Sequence, residues 1–177
     1  MKVHTWGEKA PVGDEGEKLI IDWLSGRKNI KNVEDVSKIK KYQNMGFDVN
    51  LTYDDGRMTT AEIKNDLAAG RTDNLAFEII SNEEAKKIGW FLSTEAEWLL
   101  HYCNKTDTLY KAPMDEIRSW FLENKHLTKD FEKCPFDKPA QNPTYLSWVH
   151  PIPKKEIETL PFVKTYKGIK EKTNAKS

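Results

Sequence analysis

The chain has 177 residues, of which 38% are hydrophobic and 11% aromatic, and its 28 basic side chains balance its 28 acidic ones. This composition is typical of one folded domain and excludes a disordered protein. No apolar run approaches the ~20 residues that a membrane-spanning helix needs, and the first residues lack the apolar segment of a secretion signal. We therefore expect a cytoplasmic protein that does not associate with membranes, with no overall attraction to a polyanion.

The first predicted helix begins near Asp14, a favourable N-cap residue, and ends at Ser25. Glu17 lies within the apolar stripe of this helix, at spacings of three, four and seven from Ile20, Ile21 and Leu24. A carboxylate in an apolar stripe costs several kcal/mol unless it is paired or bound. Glu17 is therefore predicted to face a partner inside the protein, and a hydrogen bond near the helix start is the alternative.

The segment after this helix is basic, because residues 27–41 contain six cations and two acids. Such a cluster is typical of phosphate contacts, although a hydrated basic surface explains it equally well. No helix-turn-helix, zinc finger or other base-reading module is evident. The candidate nucleic-acid-binding residues are Arg27, Lys28, Lys31, Lys38, Lys40 and Lys41.

Residues 47–64 alternate between apolar and polar on two arms, which predicts an antiparallel β-hairpin. A two-residue loop would set apolar residues opposite polar ones along the whole ladder. A three-residue loop with Gly56 in the left-handed conformation pairs Tyr53 with Arg57 and keeps one face apolar. The apolar pairs predicted in this register are Phe47–Ile63, Val49–Ala61 and Leu51–Thr59.

The same register gathers charges on the other face of the hairpin. Asp48 is predicted directly opposite Glu62, with Lys64 two residues further along the same face. Two carboxylates repel by about 4 kcal/mol at 4 Å and an effective dielectric of ~20. Lys64 or a divalent metal ion is expected to compensate this repulsion, unless the charges simply face solvent.

Later in the chain, two more helices are predicted. Thr94 and Glu97 have capping-box spacing, and the apolar stripe that follows ends at Cys103. A third helix has Pro113 in its first turn and presents Ile117, Trp120 and Phe121 on one face.

Six of the eight prolines lie between residues 135 and 161, so loops are expected there, with one short edge strand over 144–149. The segment from Lys164 is predicted to be a basic, flexible tail. Cys103 and Cys134 have no spacing that is typical of zinc sites or disulfide frameworks, so they are predicted to be free thiols in the core.

Asp48, followed after thirteen residues by Glu62-Ile63-Lys64, resembles the signature of the PD-(D/E)XK nuclease superfamily, the restriction-endonuclease-like fold. The resemblance covers about residues 13–103 and is widest to small phage and prokaryotic nucleases, including Holliday-junction-resolvase-like members. Phe47 stands where the family name has proline. The further matching segments, in order, are Gly13 with Glu17, residues 33–37, Tyr42-Gln43, residues 46–48 and residues 72–78.

The resemblance implies an α/β fold, in which a mixed central sheet flanked by helices contains an αβββαβ core. That core would comprise the first helix, a strand near 33–37, the hairpin, an element near 75–80 and the helix from Thr94. We expect one nuclease-like domain over residues 1–163, with its core at 13–103, an accessory part at 104–163 and the flexible tail at 164–177.

The resemblance also implies a magnesium site, in which manganese can substitute, formed by Asp48, Glu62, the Ile63 carbonyl and Glu17. Lys64 would position the attacking water or stabilise developing negative charge. Gln43 would hold a water or a phosphate oxygen, although a surface glutamine before a turn is an equally good interpretation. Glu78 is either an acid that supports the metal ligands or a salt-bridged core residue.

The function implied is a divalent-metal-dependent nuclease that hydrolyses phosphodiester bonds in DNA, as an endonuclease rather than an exonuclease. The alternative is a catalytically inactive protein of the same fold that binds nucleic acid or protein. DNA is the expected partner, and a homodimer is an open possibility.

Overall fold

The computed structural model describes residues 6–125, 132–136 and 145–174, with side chains at 14–125 and 146–173. The helices are α1 Trp6–Ser25, α2 Lys40–Met45, α3 Ala69–Thr72, α4 Trp90–Ser93, α5 Met114–Asn124, α6 Lys154–Glu158 and α7 Ile169–Asn174. The strands are β1 Ile30–Asp35, β2 Val49–Tyr53, β3 Met58–Asp66, β4 Asn74–Asn82, β5 Lys87–Ile88, β6 Trp98–Cys103, β7 Thr108–Pro113, β8 Glu132–Phe136, β9 Tyr145–Pro153 and β10 Lys164–Lys167.

These strands form two sheets. The central sheet has the order β1-β2-β3-β6-β7-β10 and is mixed, because β3 and β6 are parallel while its other neighbours are antiparallel. The second sheet has the order β5-β4-β9-β8 and is antiparallel. The predicted mixed central sheet with flanking helices is therefore confirmed at the level of architecture.

Each face of the central sheet has its own hydrophobic core. On one face, α1 contributes Ile20 and Leu24, which pack with Leu51 and Ile63 of the hairpin. On the other face, β4, β9, α4 and α5 enclose a second core that contains Phe77, Phe91 and Phe121. Because β3 is covered on both sides, its polar residues lie between two packed layers rather than in open solvent.

The hairpin forms with the predicted three-residue loop. Tyr53 N–H donates to Arg57 O at 2.9 Å, and Gly56 has a φ of 83°. The ladder pairs Val49 with Ala61 and Leu51 with Thr59, as the apolar pattern predicts. The choice of loop was decided correctly by the requirement that one face be apolar.

The prediction of a helix that begins at Thr94 is wrong. Residues 98–103 form β6, which lies between β3 and β7 and is buried along nearly its whole length. Thr94 does not cap a helix, because its hydroxyl donates to the Gly46 carbonyl and accepts from the Ala96 N–H. A short strand that is buried on both faces has a continuous apolar run, which periodicity cannot distinguish from a helix.

The predictions for the C-terminal part also need correction. The segment from Lys164 is not a flexible tail: it forms β10 and α7 up to Asn174, and Ile169 is fully buried against α1. Residues 175–177 lie outside the described residues. Residues after 104 thus contribute strands to both sheets.

The strand predicted over 144–149 is present as β9, although Thr144 lies outside the described residues, but it is not an edge strand. It has β4 on one side and β8 on the other. The pairing with β8 spans only Tyr145–Val149, so Pro151 and Pro153 lie where β4 is the one neighbour in the described sheet. The missing proline N–H groups therefore cost no ladder bonds on that side.

The other two helices agree better with prediction. Helix α1 ends at Ser25 as expected but begins at Trp6, so Asp14 is inside it rather than at its N-cap. Helix α5 begins just after Pro113, which is the N-cap residue, and buries Ile117 and Phe121. Cys103 is a buried free thiol, whereas the side chain of Cys134 lies outside the described residues. No helix within the described ranges is long and apolar enough to cross a membrane.

Candidate active site at the edge of the central sheet

Asp48 occupies the point where β2 begins. Its N–H donates to Ala61 O at 3.0 Å, although Ala61 is already the ladder partner of Val49. Two residues opposite one is the pattern of a β-bulge, which redirects the neighbouring side chain. The ladder therefore stops one residue short of the predicted Asp48–Glu62 pair, and Asp48 Oδ2 instead accepts a hydrogen bond from the Ile63 N–H at 2.7 Å.

Glu62 and Lys64 project from the same face of β3, as predicted. Lys64 Nζ lies 2.5 Å from Glu62 Oε1, and Glu62 is only 4% exposed. A charge-assisted contact of this length compensates much of the cost of burying the carboxylate. The lysine side chain, by contrast, remains about one-third exposed (31%).

Glu17 joins this cluster from α1. The helix approaches β3 closely at Gly16, where an added β-carbon would lie 2.1 to 2.7 Å from three side-chain atoms of Asn65. Glu17 is half-buried, and its carboxylate interacts electrostatically with Asp48 and Lys64. Helix α1 thus brings Glu17 within electrostatic range of two charged residues of the hairpin.

The three carboxylates hold their protons unusually well. Burial raises the pKa of Glu17 to about 7, and Asp48 adds to this shift while Lys64 opposes it. Burial likewise raises the pKa of Glu62 to about 7, against the lowering by Lys64 and with further increases from Asp48 and Glu17. Burial also raises the pKa of Asp48, although Lys64 and the Ile63 N–H oppose the rise. Perturbed carboxyl pKa values of this kind are typical of functional sites.

For Lys64, unlike the acids, the surroundings favour the charged form of the side chain. Burial by itself would lower its pKa, but the carboxylates of Glu62 and Asp48 raise it above the usual value of a lysine. The side chain therefore carries a positive charge at neutral pH. This charge suits electrostatic stabilisation rather than general-base catalysis.

Glu78 lies on β4 beside this cluster. Its Oε2 accepts from the Trp90 N–H at 3.4 Å, and burial raises its pKa although Lys64 and Lys87 lower it. Glu78 is thus within electrostatic range of Lys64, but within the described residues it forms no salt bridge, so the salt-bridged alternative is not observed. Trp90, which sequence reasoning missed, places its ring centroid 5.1 Å from Lys64 Nζ.

A cleft of about 680 Å³ opens beside these residues. Asp48, Glu62 and Glu78 line it together with Trp90 and residues of α2 and β5. Sequence reasoning could not identify β5 and α4 as parts of the site. Their position beside the cleft depends on how the chain folds between β3 and β6, which no local pattern indicates.

Gln43 also lines the cleft, from α2. Its Nε2 donates to the Ser37 carbonyl at 2.9 Å, and its side chain is exposed. The amide oxygen is therefore the part of Gln43 that remains able to accept a hydrogen bond from a ligand.

The basic residues of segment 27–41 are divided between two places. Lys40 and Lys41 belong to α2 beside the cleft, and Lys38 precedes that helix directly. Arg27 lies just after the end of α1, and its guanidinium carbon lies 4.9 Å from the Trp23 ring centroid. Lys28 and Lys31 lie near Arg27 in sequence and are exposed. Of the six predicted cations, Lys40 and Lys41 thus belong to the helix whose Gln43 and Asn44 line the cleft, and Lys64 rather than any of the six interacts with the acids.

A second polar pair on β3 was also missed. Asp66 Oδ2 lies 3.1 Å from His101 Nε2, and both residues are buried. Burial alone would raise the pKa of Asp66, but bonds from His101 and from the N–H groups of Ala69 and Ala76 lower it. This pair anchors the exit of β3 to β4 and β6 and lies in the core.

The oxygen donors at the site suit a hard cation, since they are carboxylates and backbone carbonyls. In the part of the chain that the structure describes, no three acidic, histidine or cysteine side chains are close enough to form a metal-binding group by themselves. A metal would thus depend on two carboxylates, the Ile63 carbonyl and water, a set that Mg²⁺ commonly accepts. Burial disfavours the charged forms of Glu17, Asp48 and Glu62, and a bound divalent cation would favour them.

Together, the fold and the site define a mixed α/β protein with a carboxylate–lysine cluster between the start of β2 and the middle of β3. No known family model matches the chain, and comparison with curated proteins and with solved structures finds none that matches significantly.

Proposed function

We propose that the protein is a divalent-metal-dependent nuclease that hydrolyses phosphodiester bonds within DNA strands. The observation that carries this proposal is the meeting of Asp48, Glu62 and the protonated Lys64 beside an accessible cleft, with the acids destabilised as anions. The strand order β1-β2-β3-β6, with β6 parallel to β3 and α1 packed on β3, supports a restriction-endonuclease-like αβββαβ core.

Magnesium or manganese would be held by Asp48, Glu62 and the Ile63 carbonyl, and Glu17 would contribute through a water molecule. Bound there, the ion would polarise the phosphodiester and lower the pKa of a water molecule. The Ile63 N–H already restrains one oxygen of Asp48, which leaves the other oxygen for the ion. The shared strand β3 thus orients the acids before any ligand arrives.

Lys64 has a separate role in this proposal. Its ammonium group is charged because Glu62 and Asp48 raise its pKa. A fixed positive charge stabilises the negative charge that develops on a phosphate during hydrolysis, and removal of one such group typically costs about 10²–10³ in rate. Lys38, Lys40 and Lys41 would contact the phosphates on either side.

The test uses supercoiled plasmid, which has no ends, with magnesium, manganese or a chelator. Nicking by the full chain is expected with either metal but not with the chelator. Asp48→Asn, Glu62→Gln and Lys64→Met are expected to lower the rate about 10²–10³-fold. Glu123→Gln and Lys155→Met change exposed residues far from the cluster in sequence and are matched controls.

One observation favours the alternative of a non-catalytic binding protein. The Lys64–Glu62 ion pair satisfies both partners without a metal. Unchanged plasmid and branched DNA under both metals would overturn the nuclease proposal. Retained DNA binding in the same samples would then support the binding role.

A further inference from the structure

We infer that the cleft accepts an unpaired nucleotide whose base stacks on the indole ring of Trp90. This inference rests on the proposed function only in taking nucleic acid as the ligand, and it assigns the substrate class as single-stranded or locally unpaired DNA. Trp90 would then determine specificity, while Asp48, Glu62 and Lys64 act on the phosphate.

The cleft has an apolar wall that phosphate binding does not explain. Trp90 of α4 and Ile88 of β5 line it, and Ile88 is 58% exposed. A phosphodiester backbone is recognised by cations and N–H groups, and it gains nothing from an aromatic surface. A base has an aromatic face, so it complements this wall whatever its identity.

The Trp90 ring is held in place before any ligand arrives. It packs against Phe91 at 5.8 Å in an edge-to-face arrangement and against Phe77 at 6.0 Å. His101 lies 6.4 Å from it on the core side. A ring that is already fixed loses little conformational entropy when a base stacks on it.

The lysines near the cleft suit the binding of a short stretch of nucleic-acid backbone. Lys87 lines the same wall, and Lys64 Nζ lies 5.1 Å from the Trp90 ring centroid. Lys40 and Lys41 belong to α2, whose Gln43 and Asn44 also line the cleft. When no metal ion is bound, the carboxylates of Asp48 and Glu62 repel phosphate, so the lysines are the groups that attract it. A nucleotide that crosses the cleft would therefore place its phosphates near cations and its base near Trp90.

The size of the cleft agrees with one nucleotide rather than a duplex. About 680 Å³ is within the range of roughly 300–1,000 Å³ that small-ligand sites occupy. Bases in a duplex are stacked on each other and cannot present a face to a side chain without being unstacked. Stacking on Trp90 therefore selects for nucleotides that are already unpaired.

The test measures binding without catalysis. A fluorescein-labelled oligothymidine and a labelled duplex of the same length are titrated with the full chain in a chelator, and binding is followed by fluorescence anisotropy. We expect tighter binding of the single strand. Trp90→Leu should weaken single-strand binding about 5- to 150-fold, the loss of one base stack, and leave duplex binding unchanged. Trp90→Phe should retain most of the affinity, and Trp120→Leu on α5 is the control.

Equal affinity for the two DNA forms, or equal losses on both in Trp90→Leu, would overturn the inference. Because this variant could fail to fold, photo-cross-linking of an iododeoxyuridine oligonucleotide to the wild-type chain provides a second measurement. The cross-link should map to the tryptic peptide that begins at Ile88, and a cross-link confined to other peptides overturns the inference. A preference for single strands in a protein that nicks no plasmid would overturn the nuclease proposal alone.

Discussion

The N–H group of Ile63 donates a hydrogen bond to Asp48 Oδ2 at 2.7 Å, so the carboxylate at the start of β2 is restrained by the strand beside it. This contact replaces the ladder pair that a regular hairpin would form at this position. It couples the bulge at Asp48 to the geometry of the acidic cluster.

The first prediction concerns this hydrogen bond. Asp48→Ala leaves the Ile63 N–H without its acceptor, whereas Asp48→Asn retains an acceptor oxygen and also lacks the charge. We expect Asp48→Ala to be less stable than Asp48→Asn by about 1–3 kcal/mol, the cost of an unsatisfied buried donor. Urea unfolding at neutral pH without metal measures the difference. Two variants of equal stability would show that water replaces the lost acceptor.

The second prediction concerns pH. Burial raises the pKa of Glu17 and of Glu62 from 4.5 to about 7, so the folded state binds more protons than the unfolded chain between these values. The stability that these groups contribute is thus fully present below pH 4.5 and is lost as the pH rises through about 7. The slope is at most about 1.4 kcal/mol per pH unit for each group.

Urea unfolding at several pH values between about 5 and 8, in the presence of a chelator, measures this slope. The double variant Glu17→Gln and Glu62→Gln should flatten the dependence, and Glu123→Gln should leave it as in the wild type. Stability that rises with pH across this window would contradict the burial of these acids.

The third prediction concerns magnesium. If the cation binds the folded protein at Asp48 and Glu62, each tenfold increase in its concentration above Kd should add ~1.4 kcal/mol of stability. For a chain of this size, each kcal/mol raises Tm by about 2–4 °C. Thermal unfolding at pH 8 measures the shift, with potassium chloride of equal ionic strength as the control. A shift that persists in Asp48→Asn and Glu62→Gln would show that magnesium acts elsewhere.

The fourth prediction concerns Gly16. Alanine usually stabilises the interior of a helix by about 1 kcal/mol relative to glycine. At Gly16 the added β-carbon would overlap the Asn65 side chain, so Gly16→Ala is expected to destabilise the protein by about 1–3 kcal/mol instead. In a double-mutant cycle with Asn65→Gly, which removes all the overlapping side-chain atoms, the two costs should be less than additive. Additive costs would exclude the overlap as the cause.

The fifth prediction concerns the C-terminal helix. Ile169 of α7 is fully buried against α1, so Ile169→Ala should lower the free energy of unfolding by about 2–5 kcal/mol. Met58→Ala, at a position that is 69% exposed, is the matched control and should change stability little. Chemical denaturation compares them. An unaffected Ile169→Ala protein would show that α7 adds no stability to the fold.

The comparison between sequence and structure is clearest on the hairpin. The alternation from Phe47 to Lys64 and the position of Gly56 were sufficient to predict the loop and two of the three apolar pairs, because burial of one face forbids a shift of one residue. The third predicted pair, Phe47–Ile63, does not form, because the ladder ends at Val49–Ala61. The same pattern could not reveal the bulge at Asp48, since a bulge depends on how the chain enters β2 from α2. The charged residues were correctly grouped, but the contact that organises them was not predicted.

The errors occurred where local patterns compete with long-range pairing. The run from Trp98 to Cys103 resembles a buried helix as much as a strand, and only its position between β3 and β7 decides for the strand. The lysines after 164 indicated a hydrated tail, yet Tyr166 and Ile169 pack against α1. A few apolar residues are enough to order a short segment when a sheet edge and a helix already present a surface to it.

By itself, the sequence determined which side chains of α1 and the hairpin face inward, because amphipathic spacing and strand alternation are local properties of the chain. These local properties thereby placed Glu17, Asp48, Glu62 and Lys64 close to one another beside β2 and β3. The tertiary structure alone decided what surrounds them: the Trp90 wall, the β4–β5 side of the cleft and the close approach at Gly16. These features join residues that are far apart in the chain, and their contacts depend on packing that no local pattern encodes.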